Sequence, residues 1–208
     1  MFEVEFITLT SIYFLALLSP GQDFFLIIKH ALTHGYHKAW WSCLGIASGN
    51  ALYIALAYMG HAYLSQYPFI VSFIEIGGAL FLLYLGCLLL FAPQPSLENS
   101  LHVKRQMAFK LFAQGFLSAL LNPKNILFYF SLLFTIVKPE TALHVKMVYA
   151  VWMVTMLLVW DMFVAFLFGN QRALRLLPYL NVLQKIVGIG LIGFSLKLAF
   201  TFYKQCEL

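Results

Sequence analysis

The chain has 208 residues, of which 62% are hydrophobic and 10% are charged, and its formal net charge is +5. Soluble domains are about 45–50% apolar and about 25% charged, so this composition excludes an ordinary soluble protein and predicts one integral membrane domain over residues 1–208. Lys and Arg collect in the cytoplasmic loops of membrane proteins, so the positive charge does not indicate a nucleic-acid partner.

Six apolar runs are long enough to form membrane-spanning helices, which need ~20 residues each. They lie at residues 6–28, 39–64, 69–91, 111–137, 145–168 and 183–203. A polar linker at about residues 92–110 divides the chain into two repeats of three segments, at about residues 1–91 and 111–208. The pattern predicts an all-α integral membrane protein with six transmembrane segments.

Basic residues are most frequent between segments one and two, three and four, and five and six. These linkers are therefore expected on the cytoplasmic side, which places the carboxyl terminus outside. The amino terminus is also outside if the first segment crosses fully, and inside if that segment is re-entrant. Glu3 and Glu5 stand where a secretory signal would carry basic residues, so we expect the first segment to be retained.

The stretch LLSPGQDFF, residues 17–25, interrupts the first apolar segment. Ser19 is a favourable N-cap residue before Pro20, which suits a first helical turn, and Gln22 completes the spacing of a capping box. We therefore expect a half-helix to begin here, with Gly21 in its first turn. Its unpaired N–H groups and dipole suit an anion such as a carboxylate. Asp23 either belongs to this site or only complements the helix dipole.

Neither the histidines nor the cysteines form a metal-binding pattern. His30, His34 and His37 have helical spacing but lack a nearby cysteine or acid that would complete a ligand set. A basic face at the membrane interface is therefore expected there. The cysteines are far apart and are expected to be inert packing or lipid-facing residues: Cys43, Cys87 and Cys206.

The second segment contains the small-residue stretch GIASGN. Gly45 and Gly49 have the four-residue spacing that permits close packing of two helices. Asn50 follows them, and its amide needs a partner, either the broken backbone nearby or a substrate. Tyr53 and Tyr129 lie deep enough in their segments for their hydroxyl groups to reach a central cavity.

The fourth segment repeats the interruption of the first. LLNPKNILF, residues 120–128, corresponds to LLSPGQDFF, with Asn122 as the expected N-cap before Pro123. A half of three crossings must insert upside down relative to the other half. The sequence therefore predicts two inverted three-helix repeats, with segments one and four broken at proline, as in many secondary transporters.

Three charged residues are expected within the membrane, where a charge costs ~2.5–3.5 kcal/mol on insertion scales. They are Asp23, Lys124 and Asp161. Lys124 is suited to pair with a substrate carboxylate, or with Asp23 across the centre. Asp161 lies about two turns from the end of segment five, and it is suited to carry a proton, to bind an ammonium group, or to form a structural pair.

At these motifs the chain resembles the LysE/RhtB family of bacterial amino-acid exporters, and the likeness covers nearly the whole sequence. The stretches LGIASGNALYIALAYMG and GGALFLLYLG are similar to the family's second and third segments. Gln22 replaces the second proline of the family's Pro-Gly-Pro-Asp motif, and Asn50 replaces an acid found in many members. The two remaining motifs are matched by Pro20, Gly21 and Asp23, and by Gly115, Phe116, Asn122, Pro123 and Lys124.

The resemblance implies a secondary transporter in the cell (inner) membrane that exports an amino acid or a closely related small metabolite. Proton antiport is expected, because the sequence also lacks a nucleotide-binding Gly-Lys-Ser/Thr loop. No cofactor, metal site or catalytic residue is expected, and a homo-oligomer is possible. The residues expected to bind substrate or couple its transport are Ser19, Pro20, Gly21, Asp23, Asn50, Asn122, Pro123, Lys124 and Asp161.

Two other classes are considered. A membrane redox or biosynthetic enzyme would require paired cysteines or a dense cluster of acids and histidines within the membrane, and the sequence contains neither. An exporter of an inorganic or metal cation would favour several facing acids or thiols, whereas the central residues here combine a lysine with amides. Amino-acid export is therefore the leading hypothesis, with cation export as the alternative.

Overall fold

A computed structural model describes residues 2–64, 66–91, 107–138 and 140–206. These ranges contain helices and connecting turns but no strand. The 3₁₀ helix Gln171–Leu176 precedes the last long helix. The α-helices are α1 (Phe2–Leu17), α2 (Gln22–His34), α3 (Tyr36–Leu64), α4 (Pro68–Phe91), α5 (Ala108–Leu121), α6 (Pro123–Ile136), α7 (Leu143–Phe168) and α8 (Leu177–Cys206).

Four helices, α3, α4, α7 and α8, are each long and apolar enough to cross a bilayer. Two further helix pairs are sharply bent, by 56° between α1 and α2 and by 61° between α5 and α6. The described helices therefore provide four crossings, or up to six if each bent pair is one crossing. The all-helical membrane architecture expected from the sequence is confirmed, while the inverted relation of the two halves stays a prediction.

The predicted linker lies mostly outside the described residues. Residues 92–106 are not described, and the last part of the predicted linker, from Ala108 onwards, is already the first turn of α5. The helix therefore begins a few residues earlier than predicted, and its first turn places Leu111 in the core and leaves Phe109 79% exposed.

Small residues bring α3 against α5. A Cβ atom added to Gly45 would overlap the carbonyl oxygen of Phe112, and one added to Gly115 would overlap the carbonyl oxygen of Ser42. A Cβ atom on Gly49 would lie 2.8 Å from that of Ala119. The close packing predicted from the spacing of Gly45 and Gly49 is confirmed, and its partner is the helix that leads into the second bend.

The polar residue His30 contributes to the packing of α2 on α3. Its side chain is 3% exposed, and its Nδ1 atom lies 2.6 Å from the hydroxyl oxygen of Ser42. The prediction that the three histidines form one interfacial face is therefore wrong for His30, because its side of α2 faces α3. Cys43, beside Ser42, is fully buried in the core, as expected of a packing cysteine.

Candidate functional site

A cavity of about 80 Å³ lies where the two bends meet. That volume is sufficient for several water molecules. Its wall contains residues from both bends and from α1, α2, α3, α6 and α7. Seven of the nine residues expected in the site line it: Ser19, Gly21, Asp23, Asn50, Asn122, Lys124 and Asp161.

The two prolines contribute through the backbone. Pro20 is buried beside the cavity without lining it, and Pro123 is the first residue of α6. The described structure does not include the surroundings of the Pro123 side chain. Both prolines lie at interruptions of the helical backbone, where their missing N–H groups remove hydrogen bonds that a continuous helix would need.

The first bend differs from its prediction. Helix α2 begins at Gln22 with Gly21 as its N-cap residue, and no side chain caps it. Ser19 lies two residues too early for a cap, because both Pro20 and Gly21 precede the first helical residue. The prediction of a capping box from Ser19 to Gln22 is therefore wrong. The Ser19 hydroxyl instead accepts a hydrogen bond of 3.1 Å from Lys124 Nζ.

The first turn of α2 has backbone N–H groups directed to the cavity end of the helix. The described hydrogen bonds include none donated by the N–H groups of residues 21–24. The next one, from Phe25, is donated to the Gly21 carbonyl at 3.1 Å. Unpaired N–H groups at a helix start carry the positive end of the helix dipole. This bend can therefore receive an anion.

The N-cap predicted at the second bend is present. The Asn122 side chain caps α6 by accepting a hydrogen bond of 3.1 Å from the Lys124 N–H group. The Asn125 N–H group is also paired, with the Asn122 carbonyl at 3.0 Å. Pro123 has no N–H group, so the first turn of α6 offers no unpaired backbone donor through residue 125.

Two of the carbonyl groups released at the second bend are paired as well. The Tyr53 hydroxyl of α3 donates to the Leu120 carbonyl at 2.5 Å, and Asn125 Nδ2 donates to the Ala119 carbonyl at 3.2 Å. Tyr53 thus contacts the broken backbone and does not line the cavity. Tyr129 does line it, with its hydroxyl 3.0 Å from that of Tyr13.

The charged side chains Asp23 and Lys124 have separate neutral partners. Asp23 accepts hydrogen bonds from Ser118 Oγ at 2.6 Å and from Asn125 Nδ2 at 3.1 Å. The Lys124 ammonium group reaches from α6 to the first bend, where a Cβ atom on Gly21 would lie 3.7 Å from it. In the part of the chain that the structure describes, no ion pair joins Asp23 to Lys124, so that suggested pair is absent from this conformation.

Asp161 and Asn50 complete the polar wall. Asp161 of α7 is 5% exposed, and its Oδ2 atom has no hydrogen-bond partner among the described residues. Asn50 is 3% exposed and donates from Nδ2 to the Ile46 carbonyl of its own helix at 2.8 Å. Asn50 therefore has an internal partner, whereas the buried carboxyl of Asp161 does not.

Sequence reasoning missed Ser118 and Asn125, which hold both oxygens of Asp23. The only available signal was their polarity within apolar runs, in FLSALL and PKNILF. Ser118 also accepts a hydrogen bond of 3.3 Å from Gln22 Nε2. Their role depends on contacts between α2 and the bend of α5 and α6, which are about 100 residues apart in the chain. A local sequence pattern cannot predict such contacts.

Comparison with known protein families identifies the class of this protein. The model of the LysE type translocator family matches residues 14–201, which include both bends and every residue that lines the cavity except Tyr13. The chain belongs to the LysE type translocator family. The resemblance noted from the sequence motifs is thereby confirmed. This LysE type translocator is a multi-pass protein of the cell (inner) membrane.

Curated relatives of this translocator include proteins named for efflux. It is 28% identical over 193 residues to the leucine efflux protein of Enterobacter sp. (strain 638), covering 89% of this chain and 90% of that protein. It is 28% identical over 134 residues to the threonine efflux protein of Escherichia coli (strain K12), covering 60% of this chain and 62% of that protein.

A third relative is the uncharacterized membrane protein YrhP of Bacillus subtilis (strain 168). The identity is 28% over 189 residues, covering 86% of this chain and 90% of that protein. No solved structure gives a significant match to this LysE type translocator.

Proposed function

We propose that this LysE type translocator exports an amino acid, or a closely related small metabolite, from the cytoplasm by proton antiport. Family membership and the relatives named as leucine and threonine efflux proteins support amino-acid export. The observation that carries the proposal is the unpaired start of α2 beside the Lys124 ammonium group in one cavity. Together they form a site for a carboxylate, which every amino acid has.

Both backbone donors and a charged side chain contribute to this carboxylate site. Residues 21–24 provide backbone donors at the positive end of a helix of 13 residues. Lys124 adds a charged donor with three donor positions, and the hydrogen bonds of the described residues use one of them, to Ser19. Hydrogen bonds between charged groups are stronger than neutral ones. A carboxylate placed between Lys124 and Gly21 would therefore be bound by both charge and geometry.

In the proposed transport cycle the two halves are inverted repeats that rock about this site, so that it faces each side of the membrane in turn. Each bent helix pair then acts as one broken crossing, which gives six crossings in a single transporter domain. The protein needs no cofactor for this cycle and acts as a transporter without catalysis. A proton moves inward as the substrate moves outward.

Transport in proteoliposomes tests the proposal. We expect vesicles loaded with leucine, threonine or other amino acids to release at least one of them when a proton gradient is imposed. Lys124→Met keeps the length of the side chain and removes its charge, and it should lower this rate by at least ~10-fold because a hydrogen bond to a charged group is lost. Lys110→Met, at an exposed lysine of α5 outside the cavity, is the matched control and should retain the rate.

Three results would contradict the proposal. Vesicles that release no amino acid under any gradient would exclude amino-acid export. Release of divalent cations in place of amino acids would favour the alternative class. Equal rates for Lys124→Met and the wild type would remove Lys124 from the carboxylate site.

A further inference from the structure

The cavity contains one carboxyl group that lacks a partner. Asp161 lies on α7 with only 5% of its surface exposed, and its Oδ2 atom makes no hydrogen bond to any residue that the structure describes. The same side chain lines the cavity together with Lys124 and the first turn of α2. Buried polar groups are nearly always paired, so an exception at a cavity requires an explanation.

The other carboxylate that lines the cavity, Asp23, already has hydrogen-bond partners. Both oxygens of Asp23 accept hydrogen bonds, from Ser118 and Asn125. A cationic ligand at Asp23 would have to break at least one of these bonds. Asp23 therefore holds α2 against the second bend, and Asp161 is the carboxyl with an oxygen open to a ligand among the described residues of the cavity wall.

An unpaired charge is costly when it is buried, so the open oxygen of Asp161 requires either a proton or a cation. The protein does not provide that cation among the described residues. The ammonium group of Lys124 donates to Ser19 at 3.1 Å, and no ion pair involving Asp161 is present in the described structure. The missing partner must therefore enter the cavity from outside.

We propose that Asp161 is the cation subsite of the cavity: its carboxylate receives the ammonium group of the amino-acid substrate, and a proton replaces that group after the substrate leaves. This inference rests on the proposed export function. The start of α2 and Lys124 bind the carboxylate end of the substrate, and Asp161 binds the opposite charge. The cavity is thus built for a zwitterion.

The lining also restricts the substrate's side chain. Phe24, Phe128, Leu157 and Trp160 supply much of the remaining wall. After a zwitterion has occupied Lys124 and Asp161, the described wall has no further charged group without a partner, because Asp23 is held by Ser118 and Asn125. The substrate class is therefore an α-amino acid with an uncharged side chain.

Competition between the substrate's ammonium group and a proton for Asp161 couples substrate export to proton entry. When the substrate's ammonium group arrives from the cytoplasm, the proton on Asp161 leaves to the cytoplasm. When the substrate departs outside, an external proton binds the same oxygen. One proton enters for each zwitterion exported, and no covalent bond of the substrate changes. The other titratable groups of the cavity wall are Tyr13 of α1, Asp23 of α2, and Lys124 and Tyr129 of α6. Cys43 of α3 lies behind this wall, in the buried core near Asp161.

Binding measurements on the purified full-length protein test the subsite. Leucine and threonine are compared with their 2-hydroxy analogues, which keep the carboxylate and side chain but lack the ammonium group. The wild type should bind the amino acid at least ~10-fold more tightly than its analogue. Asp161→Asn should remove most of this preference while retaining the binding of the hydroxy acid, and Asp161→Glu should keep the preference.

Proton release distinguishes a binding role from a merely structural one. Leucine binding to the wild-type protein in a weakly buffered dye solution should release protons, whereas binding of the hydroxy acid should not. Glu140→Gln, at an exposed carboxylate of the loop before α7, is the control and should behave as the wild type.

The outcomes separate this inference from the function on which it rests. Wild-type protein that neither binds nor transports any amino acid overturns the proposed function itself. Transport that continues with an unchanged preference in Asp161→Asn overturns the subsite alone. If Asp161→Asn fails to fold, proton release by the wild-type protein decides the question. Leucine binding to the wild type without proton release overturns the coupling role of Asp161.

Discussion

The two bends of this translocator have similar sequences but different hydrogen bonding. At the first bend, the N–H groups of residues 21–24 have no partner within the described ranges, and no side chain there caps α2. At the second, Asn122 caps α6 and Tyr53 pairs with the released Leu120 carbonyl. Similar motifs therefore produce one helix start that is open to a ligand and one that is closed by the protein.

The two bends differ in hydrogen bonding because α2 and α6 begin at different positions relative to their prolines. Asn122 directly precedes the first residue of α6, so its side chain reaches the N–H group two positions later. After Pro20, Gly21 continues the extended connector, and the helix begins only at Gln22. Ser19 is thus out of reach of the helix start and becomes a partner for Lys124. The second bend supplies the charged group, and the first supplies the backbone site.

The largest effect should come from the packing that holds the second bend. A Cβ atom at Gly115 would overlap the carbonyl oxygen of Ser42, which is backbone and cannot rotate away. Gly115→Ala should therefore lower the free energy of unfolding by about 3 kcal/mol or prevent folding, measured by thermal unfolding in detergent. Gly193→Ala, where no atom lies within 4 Å, is the control and should not destabilise.

Removal of the cap at the second bend should have an intermediate effect. Asn122→Ala leaves the Lys124 N–H group unpaired and should cost about 1–2 kcal/mol in the free energy of unfolding. Ser19→Ala removes no cap and should cost less than ~0.5 kcal/mol, as expected outside specific stabilising features. Equal losses of stability in the two variants would show that side-chain capping does not distinguish the two bends.

The hydrogen bond from α3 to the second bend should contribute slightly less. Tyr53→Phe removes the donor to the Leu120 carbonyl and should cost about 1 kcal/mol in the free energy of unfolding. The matched control is Tyr58→Phe on the same helix, because the buried Tyr58 hydroxyl has no hydrogen-bond partner in the described part of the chain. That variant should be neutral or slightly stabilising. A larger loss in Tyr58→Phe than in Tyr53→Phe would contradict the assignment.

The smallest effect on stability should be at the open bend. A Cβ atom at Gly21 would meet only Lys124 Nζ, at an ordinary contact distance of 3.7 Å. Gly21→Ala should therefore change the free energy of unfolding by less than ~0.5 kcal/mol. It should weaken substrate binding severalfold, because the methyl group would occupy space between Lys124 and the helix start. Unchanged binding in a titration of the purified variant would place the carboxylate elsewhere.

Local patterns predicted the helices and many of the residues that line the cavity. The six apolar runs predicted the long helices, and the two Pro-containing motifs predicted where helices end and begin. Asn122 was recognised as a cap because a cap and the N–H group it pairs with lie within three residues. The same rule failed at Ser19, because sequence alone does not reveal that the helix begins two residues after Pro20, with Gly21 as its N-cap.

The sequence by itself determined the membrane class, the positions of the two interruptions and the residue types that surround them, since hydropathy and capping act over a few neighbouring residues. Only the tertiary structure decided the partner of each charge. Asp23 is held by Ser118 and Asn125, Lys124 reaches Ser19, and Asp161 keeps an open oxygen. These pairings join helices that are far apart in the chain, and hydrogen bonds depend on distances of a few ångströms that packing sets.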